Sequence, residues 1–227
     1  MEVPPLANRL ADYACRLRFD DLPAAAVHEA KRRFIDSIAT AVGAMSAEAY
    51  AIAKRCALRV QGQPGAGLFG GGRSSVEWAT FVNGLLIRYL DYNDTYLSLE
   101  PAHPSDNLAP VLAVGDSVQA SGRELITAAV LAYEIQCRLC DAASLRKHGV
   151  DHVTYGAISS AVAASRAANE PLRAALAKAQ PFHMLNSPLR VCRRATLQTP
   201  AMPTACVALT ASRRSSLQVA RAEEMAP

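Results

Sequence analysis

The sequence predicts an all-α fold, a multi-helix bundle followed by an irregular, poorly ordered tail. Three observations carry that prediction. Apolar residues recur at helical spacing through most of the first 168 positions. Helix-starting and helix-breaking residues punctuate those stretches at plausible lengths. The composition then changes in kind: Gly156 is the last glycine, Asp151 the last aspartate, and Phe182 the only aromatic residue beyond position 170. Two regions follow, a helical domain over 1–168 and a basic tail over 169–227.

The first helix is expected over 6–18, after Pro4 and Pro5, with Leu6, Leu10, Ala14 and Leu17 on one stripe. Asp21 and Pro23 start a second helix, whose apolar positions Val27, Ala30, Phe34, Ile38 and Ala41 keep the period. A third, over 46–60, carries Tyr50, Ala53, Ala57 and Val60. Gly65, Gly67 and Gly70 then spell G-x-G-x-x-G, the dinucleotide-binding fingerprint on paper. That motif has to follow a buried strand and open a helix. Here it follows a helix and Pro64, so a glycine-rich turn or small hairpin is predicted.

Ser74 and Glu77 form a capping-box pattern. The helix it opens is expected to bury Trp78, Phe81, Val82, Leu85 and Tyr89. "SDN" at 105–107 can cap a helix carrying Leu108, Val111, Leu112 and Val118. Ser121 and Glu124 make a second capping box, opening a helix that runs towards Cys140. "KHGVDHVTYG" is a break, and 155–168 a last helix of small residues. Seven or eight helices result.

Charge and composition narrow the function. Residues 1–170 carry a net charge of −2 and residues 171–227 a net charge of +6, so the basic excess belongs to the tail. The main body gives no electrostatic reason to expect a nucleic-acid partner. No apolar run reaches the ~18 residues a spanning helix needs, and no membrane partner is expected. The N-terminus lacks a basic region followed by an apolar one, and the six cysteines are scattered, which predicts reduced thiols in a cytoplasmic protein. The proline-broken tail cannot bury enough surface to offset its chain entropy and is expected to be disordered.

The ionisable residues concentrate in "LIRYLDYNDTYLSLEPAHPSDNL", Leu86 to Leu108. If the helix continues past Tyr89, Asp91 and Thr95 share a face, with Arg88 three residues before Asp91. His103, held by Pro104, can return over the helix end. His152, ahead of Thr154, sits at another helix start, where backbone N–H groups favour anions. Taken alone, Asp94 or Asp106 reads as a cap or a solvated loop charge. Asp91, Asp94, His103 and His152 would also make a carboxylate–histidine metal set, without a dense ligand motif. Cys137-x-x-Cys140 lies inside a helix with no second pair and reads as core rather than zinc. Glu134 and Arg138 read as a helix salt bridge.

Four blocks, "IRYLDYNDTYL", "HPSDNL", "AYEIQCRL" and "GVDHVTYGA", together resemble the MmgE/PrpD family of 2-methylcitrate dehydratases, with cis-aconitate decarboxylase as a relative. The resemblance runs from about residue 6 to about 168. Arg88 with Asn93 looks most like the dehydratase branch; decarboxylase-like members more often carry histidine and aspartate there. The resemblance implies a helical domain that also forms a homodimer interface, a smaller α/β domain, and a site in the cleft between them. It implies no metal and no other cofactor. Carried over, Asp91, Thr95, His103 and His152 form the helical wall.

Dehydrating a hydroxy-tricarboxylate removes a proton beside a carboxylate and expels hydroxide, which needs acid, base and cations. His103 is the expected acid/base, with a side-chain pKa nearest neutrality, and Asp91 orients it. Thr95 and His152 are expected to hydrogen-bond substrate oxygens, and Arg88 to clamp a carboxylate. The family's lysine-bearing segment and α/β domain are not recognisable after 168, so a truncated or frameshifted product is expected. The alternative function is a catalytically inactive remnant that serves only as a helical dimerisation module.

Overall fold

A computed structural model of the chain describes residues 6–168; the expected irregular tail over 169–227 lies outside the described residues. Seven α-helices occur among them: α1 (Leu6–Arg16), α2 (Ala24–Gly43), α3 (Glu48–Ala57), α4 (Val76–Tyr89), α5 (Leu108–Ser117), α6 (Gly122–Ala142) and α7 (Thr154–Ala167). The all-α bundle is therefore present. None of these helices is long and apolar enough to cross a membrane. A small antiparallel hairpin, β1 (Gly65–Gly67) and β2 (Arg73–Ser75), pairs Gly65 with Ser75 and Gly67 with Arg73. The glycine-rich segment thus forms the hairpin its context predicts. Gly70, Gly71 and Gly72 turn it with φ of 77°, 94° and 96°, a region open to glycine at no steric cost.

Alanine sets how closely the helices approach. One core joins Ala41, Ala53, Ala79, Val82, Leu86, Ile87 and Ala109 from α2, α3, α4 and α5. A second joins Ala11 and Ala14 of α1 to Leu131 and Ile135 of α6 and Val162 of α7. Asn83, buried in α4, pins the hairpin: its Oδ1 accepts from Phe69 N at 2.8 Å and its Nδ2 donates to Gly67 O at 3.0 Å. Buried backbone of this kind must find partners, and one amide satisfies two such groups.

Several local expectations are corrected. Helix α2 starts at Ala24 with Pro23 as its N-cap, while Asp21 sits in a preceding 3₁₀ turn and accepts from Arg18 N. Ile38 is exposed and Ser37 buried, so the buried face of α2 includes a polar position. Ser75, not Ser74, caps α4 by accepting from Trp78 N; Ser74 Oγ instead donates to Ala57 O and Val60 O, satisfying carbonyls at the end of α3. Phe81 and Tyr89 face outward on α4, whereas Leu86 and Ile87 are fully buried. Val118 ends α5 exposed rather than in the core. The Ser121–Glu124 capping box forms as predicted, with both reciprocal hydrogen bonds present, and Arg138 pairs with Glu134 along α6.

Candidate active site

Helix α4 ends at Tyr89, with Leu90 as its C-cap, and the chain leaves it through Asp91 at a left-handed φ of 57°. Asp91 and Thr95 therefore do not share a helical face. The left-handed turn redirects the chain so that the Asp91 carboxylate folds back onto Arg88, which donates to it from the last turn of α4. The same Arg88 Nη1 donates to Asn93 Oδ1 at 3.2 Å, and its Nε lies 3.9 Å from Asp106 Oδ1. One guanidinium thus gathers the oxygens of three side chains.

A second device brings His103 back. Tyr96 and Ala102 form an isolated antiparallel bridge, with N···O distances of 2.8 and 2.9 Å. It closes the 96–102 loop and places His103 beside Asp94 and Thr95. His103 Nδ1 lies 2.8 Å from the Asp94 main-chain carbonyl and 3.4 Å from Thr95 Oγ1. The loop is anchored on its far side. Tyr96 Oη and Ser98 Oγ donate to Asp141 Oδ1, at 2.8 and 2.6 Å. Glu100, fully buried, donates its backbone N–H to Cys140 O and ion-pairs with Arg146 at 2.5 Å. Burial opposes the ionised form of Glu100, but hydrogen bonds from Ser144 and Arg146 hold its pKa below the ordinary carboxylate value.

Beneath this loop the 3₁₀ turn Pro104–Asn107 runs straight into α5. Asn93 Nδ2 bonds Ser105 Oγ at 3.0 Å and Asp106 Oδ1 at 3.1 Å. Asp94 Oδ1 accepts from Ser105 N at 2.9 Å, and its Oδ2 from Tyr133 Oη of α6 at 2.6 Å. Asn107, fully buried, donates to Gln136 Oε1 at 2.5 Å and to Pro104 O at 2.8 Å, and accepts from Ser159 and Ser160 of α7 at 2.7 Å each. Helices α6 and α7 are thereby tied to the segment that carries His103.

His152 lies just ahead of α7, its Nδ1 3.0 Å from Asp151 Oδ1. Its charge is felt at His103. Burial lowers the His103 pKa most, and the Arg88 cation lowers it further. The hydrogen bond to Asp94 and the charge of Asp91 raise it, and His152 lowers it again. The net direction is downward from 6.5, which keeps the ring neutral near pH 7. Arg88, Asp91, Thr95 and His103 are thus brought together, with His152 within electrostatic reach.

The charged groups respond unequally to this crowding. Desolvation pushes Asp106 up to about 7, against the pull of Arg88 and Asn93, with Asp94 and Asp91 adding to the rise. Its side chain keeps 39% exposure, and water at that edge opposes the rise, so the direction is what carries weight. The unfolded carboxyl ionises near 3.8 and the native one higher, so the native state holds more protons across that window and stability falls as pH rises. Asp106→Asn is expected to remove that slope. Urea midpoints measured from acid to neutral pH should show the variant gaining on the parent protein as pH increases.

The four groups named as a metal set are engaged otherwise: Asp94 with Ser105 and Tyr133, Asp91 with Arg88, His103 with a carbonyl, and His152 with Asp151. No group of three or more His, Cys, Asp or Glu among the described residues is arranged to hold a metal ion. A pocket of about 450 Å³ lies elsewhere, between the hairpin and the end of α5, lined by Gln63, Pro64, Arg73, Asp116 and Gln119 among others.

The family model of the MmgE/PrpD N-terminal domain matches residues 8–221. The chain belongs to the MmgE/PrpD family. It is 39% identical over 92 residues to a 2-methylcitrate dehydratase of Escherichia coli (strain K12), an alignment covering 36% of this chain and 19% of the relative. A probable 2-methylcitrate dehydratase of Saccharomyces cerevisiae is 36% identical over 99 residues, 38% of this chain and 19% of the relative. An alkylcitrate dehydratase of a fungal species is 40% identical over 108 residues, 40% of this chain and 21% of the relative. The alignments span about a fifth of the length of these curated relatives.

Within this MmgE/PrpD chain, sequence reasoning used Asn93 only as a mark of the dehydratase branch, read Asp94 as a loop charge or metal ligand and Asp106 as a cap or loop charge, and gave Tyr133 no part in the constellation. One signal was available. Tyr133 and Gln136 are polar positions three residues apart in α6, beside the core residues Leu131, Ala132 and Ile135, and buried polar side chains need partners.

Proposed function

We propose that this chain supplies the helical wall of a cofactor-independent carbon–oxygen lyase acting on a hydroxy-tricarboxylate of the 2-methylcitrate type, in the cytoplasm and in propionate catabolism. The observation that carries the reading is the His103 imidazole, which gives Nδ1 to a backbone carbonyl and leaves Nε2 without a hydrogen-bond partner among the described residues, within electrostatic reach of the Arg88 cation and the Asp91 carboxylate. Elimination of water breaks a C–H bond next to a carboxylate and a C–O bond on the neighbouring carbon. Neutral His103 takes the proton. The departing hydroxide leaves as water once an acid protonates it, a role open to Asp106, whose partial burial among Asp91 and Asp94 favours its protonated form.

Arg88 clamps a substrate carboxylate, at the cost of loosening its hold on Asp91 or Asp106. Asp91 acts on His103 through its charge, favouring the imidazolium that forms during transfer. The Thr95 hydroxyl and His152 hydrogen-bond substrate oxygens. The names of the relatives support the substrate class. The test is incubation of the purified chain with 2-methylcitrate, following ultraviolet absorbance of the unsaturated product. Steady turnover that survives exhaustive chelation supports the reading. No turnover from folded protein rejects it for this chain.

A second reading rests on a different observation. Ile35, Ile38 and Val42 line one edge of α2 and are all exposed, Ile35 at 68%. Phe81 and Tyr89 of α4 add exposed aromatic surface. Such a face suits a second copy of the chain. On this reading the helical domain is a homodimerisation module, with or without catalysis. Sedimentation equilibrium should give a dimer that Ile35→Asp converts to monomer; a wild-type monomer at all concentrations removes the idea.

A further inference from the structure

We propose that Asp94 is a positioning residue for His103, locking the imidazole in its Nδ1–H tautomer through a carbonyl that its own carboxylate holds in place. The argument is geometric. A main-chain carbonyl can only accept a hydrogen bond, so the 2.8 Å contact between Asp94 O and His103 Nδ1 places the proton on Nδ1. A neutral ring then carries its lone pair on Nε2. Thr95 Oγ1, at 3.4 Å, is the poorer partner for the single Nδ1 proton and keeps its hydroxyl for other use.

The carbonyl belongs to a loop, and a loop carbonyl holds a ring in place only if it is itself held. The Asp94 side chain does this from two directions. Its Oδ1 takes the Ser105 N–H at 2.9 Å, two residues beyond the histidine, and its Oδ2 takes the Tyr133 hydroxyl from α6 at 2.6 Å. One residue therefore closes a ring from helix α6 through its carboxylate and carbonyl to the imidazole, and back through Ser105 to the same carboxylate. The Tyr133 pKa is raised by burial and by the Asp94 charge, so its hydroxyl keeps its proton and remains a donor. Arg88, Asp91 and His152 act on the ring's charge state, but the contact to Nδ1 that fixes the tautomer comes from Asp94. The catalytic meaning of this arrangement rests on the lyase reading; the tautomer itself does not.

The experiment uses the full 227-residue chain labelled with ¹⁵N-histidine and long-range ¹H–¹⁵N correlation above neutral pH, where the ring is uncharged. His103 is identified among the five histidines by its loss in His103→Gln. The expected result is a dominant Nδ1–H signal with bare Nε2. Asp94→Ala should reduce that tautomer from dominant to minority, and Asp94→Asn, which keeps an acceptor for Ser105 N–H, should restore part of it. If circular dichroism shows Asp94→Ala unfolded, Tyr133→Phe takes its place, with a partial loss expected. An Nε2–H ring in the parent protein, or an unchanged Nδ1–H population in whichever variant folds, overturns the proposal. Absent turnover with an Nδ1–H ring would reject the lyase reading alone; turnover with an Nε2–H ring would reject this inference alone.

Discussion

Replacing His103 with alanine is expected to lower turnover of 2-methylcitrate by roughly 10²- to 10⁴-fold, the range that removal of a general acid–base group produces. The loss should fall on kcat more than on KM, because the imidazole acts where the proton moves and not where the carboxylates are held. The fold should survive. His103 is only half-buried, and its one strong hydrogen bond, to Asp94 O, carries about 1 kcal/mol net. Circular dichroism and a urea melt on the same preparation separate lost chemistry from lost structure. Arg88→Gln makes the useful contrast. It removes a carboxylate clamp, so its effect should appear mainly in KM, and it removes the cation that depresses the His103 pKa, so the acid limb of kcat/KM should move towards 6.5.

The second large effect concerns stability. Asn107→Ala is expected to cost about 2–4 kcal/mol, measured as a drop in the urea midpoint with an unchanged m-value. Asn107 is fully buried and takes part in four hydrogen bonds, to Gln136, Pro104, Ser159 and Ser160. Alanine would strand the Gln136 amide oxygen and the Ser160 hydroxyl in a site water reaches poorly. Ser159 is less affected, because its hydroxyl is also placed to donate to Tyr155 O and Gly156 O. A loss of this size is a large share of the 5–15 kcal/mol that holds a typical domain together. Asn107→Asp would be at least as harmful, since a carboxylate cannot donate to Gln136 or to Pro104 O.

Legibility of the fold tracks how local its determinants are. Ser121 and Glu124 are three residues apart and make their reciprocal bonds within one turn, so α6 could be read from the string alone. The bundle as a whole was legible for the same reason. The face of α4 was not. "VEWATFVNGLLIRY" is apolar on more than one side, and period alone could not choose Leu86 and Ile87 over Phe81 and Tyr89. Two adjacent serines, 74 and 75, could each cap the helix; the hairpin decided, by directing Ser74 to the α3 carbonyls.

In the candidate site, the cluster of residue types was visible within one stretch of sequence, which holds two of the four family blocks. Its wiring was not. The break at Asp91 depends on a left-handed backbone, which aspartate adopts more readily than most residues but still uncommonly, so the residue type alone does not announce it. The return of His103 depends on the Tyr96–Ala102 bridge, which no alternating pattern announces. The partners of Asp94 and Asn107 on α6 lie 39 and 29 residues away. Contacts at that separation are products of packing, and a single sequence carries no direct mark of them.

The central claim is that His103 stands as a neutral base, its Nε2 open to substrate and its charged form disfavoured by burial and by Arg88. An NMR pH titration of the His103 ring in the full chain tests this most directly. The account predicts a midpoint below 6.5 that rises on Arg88→Gln. A midpoint at or above 6.5, indifferent to Arg88, would contradict it.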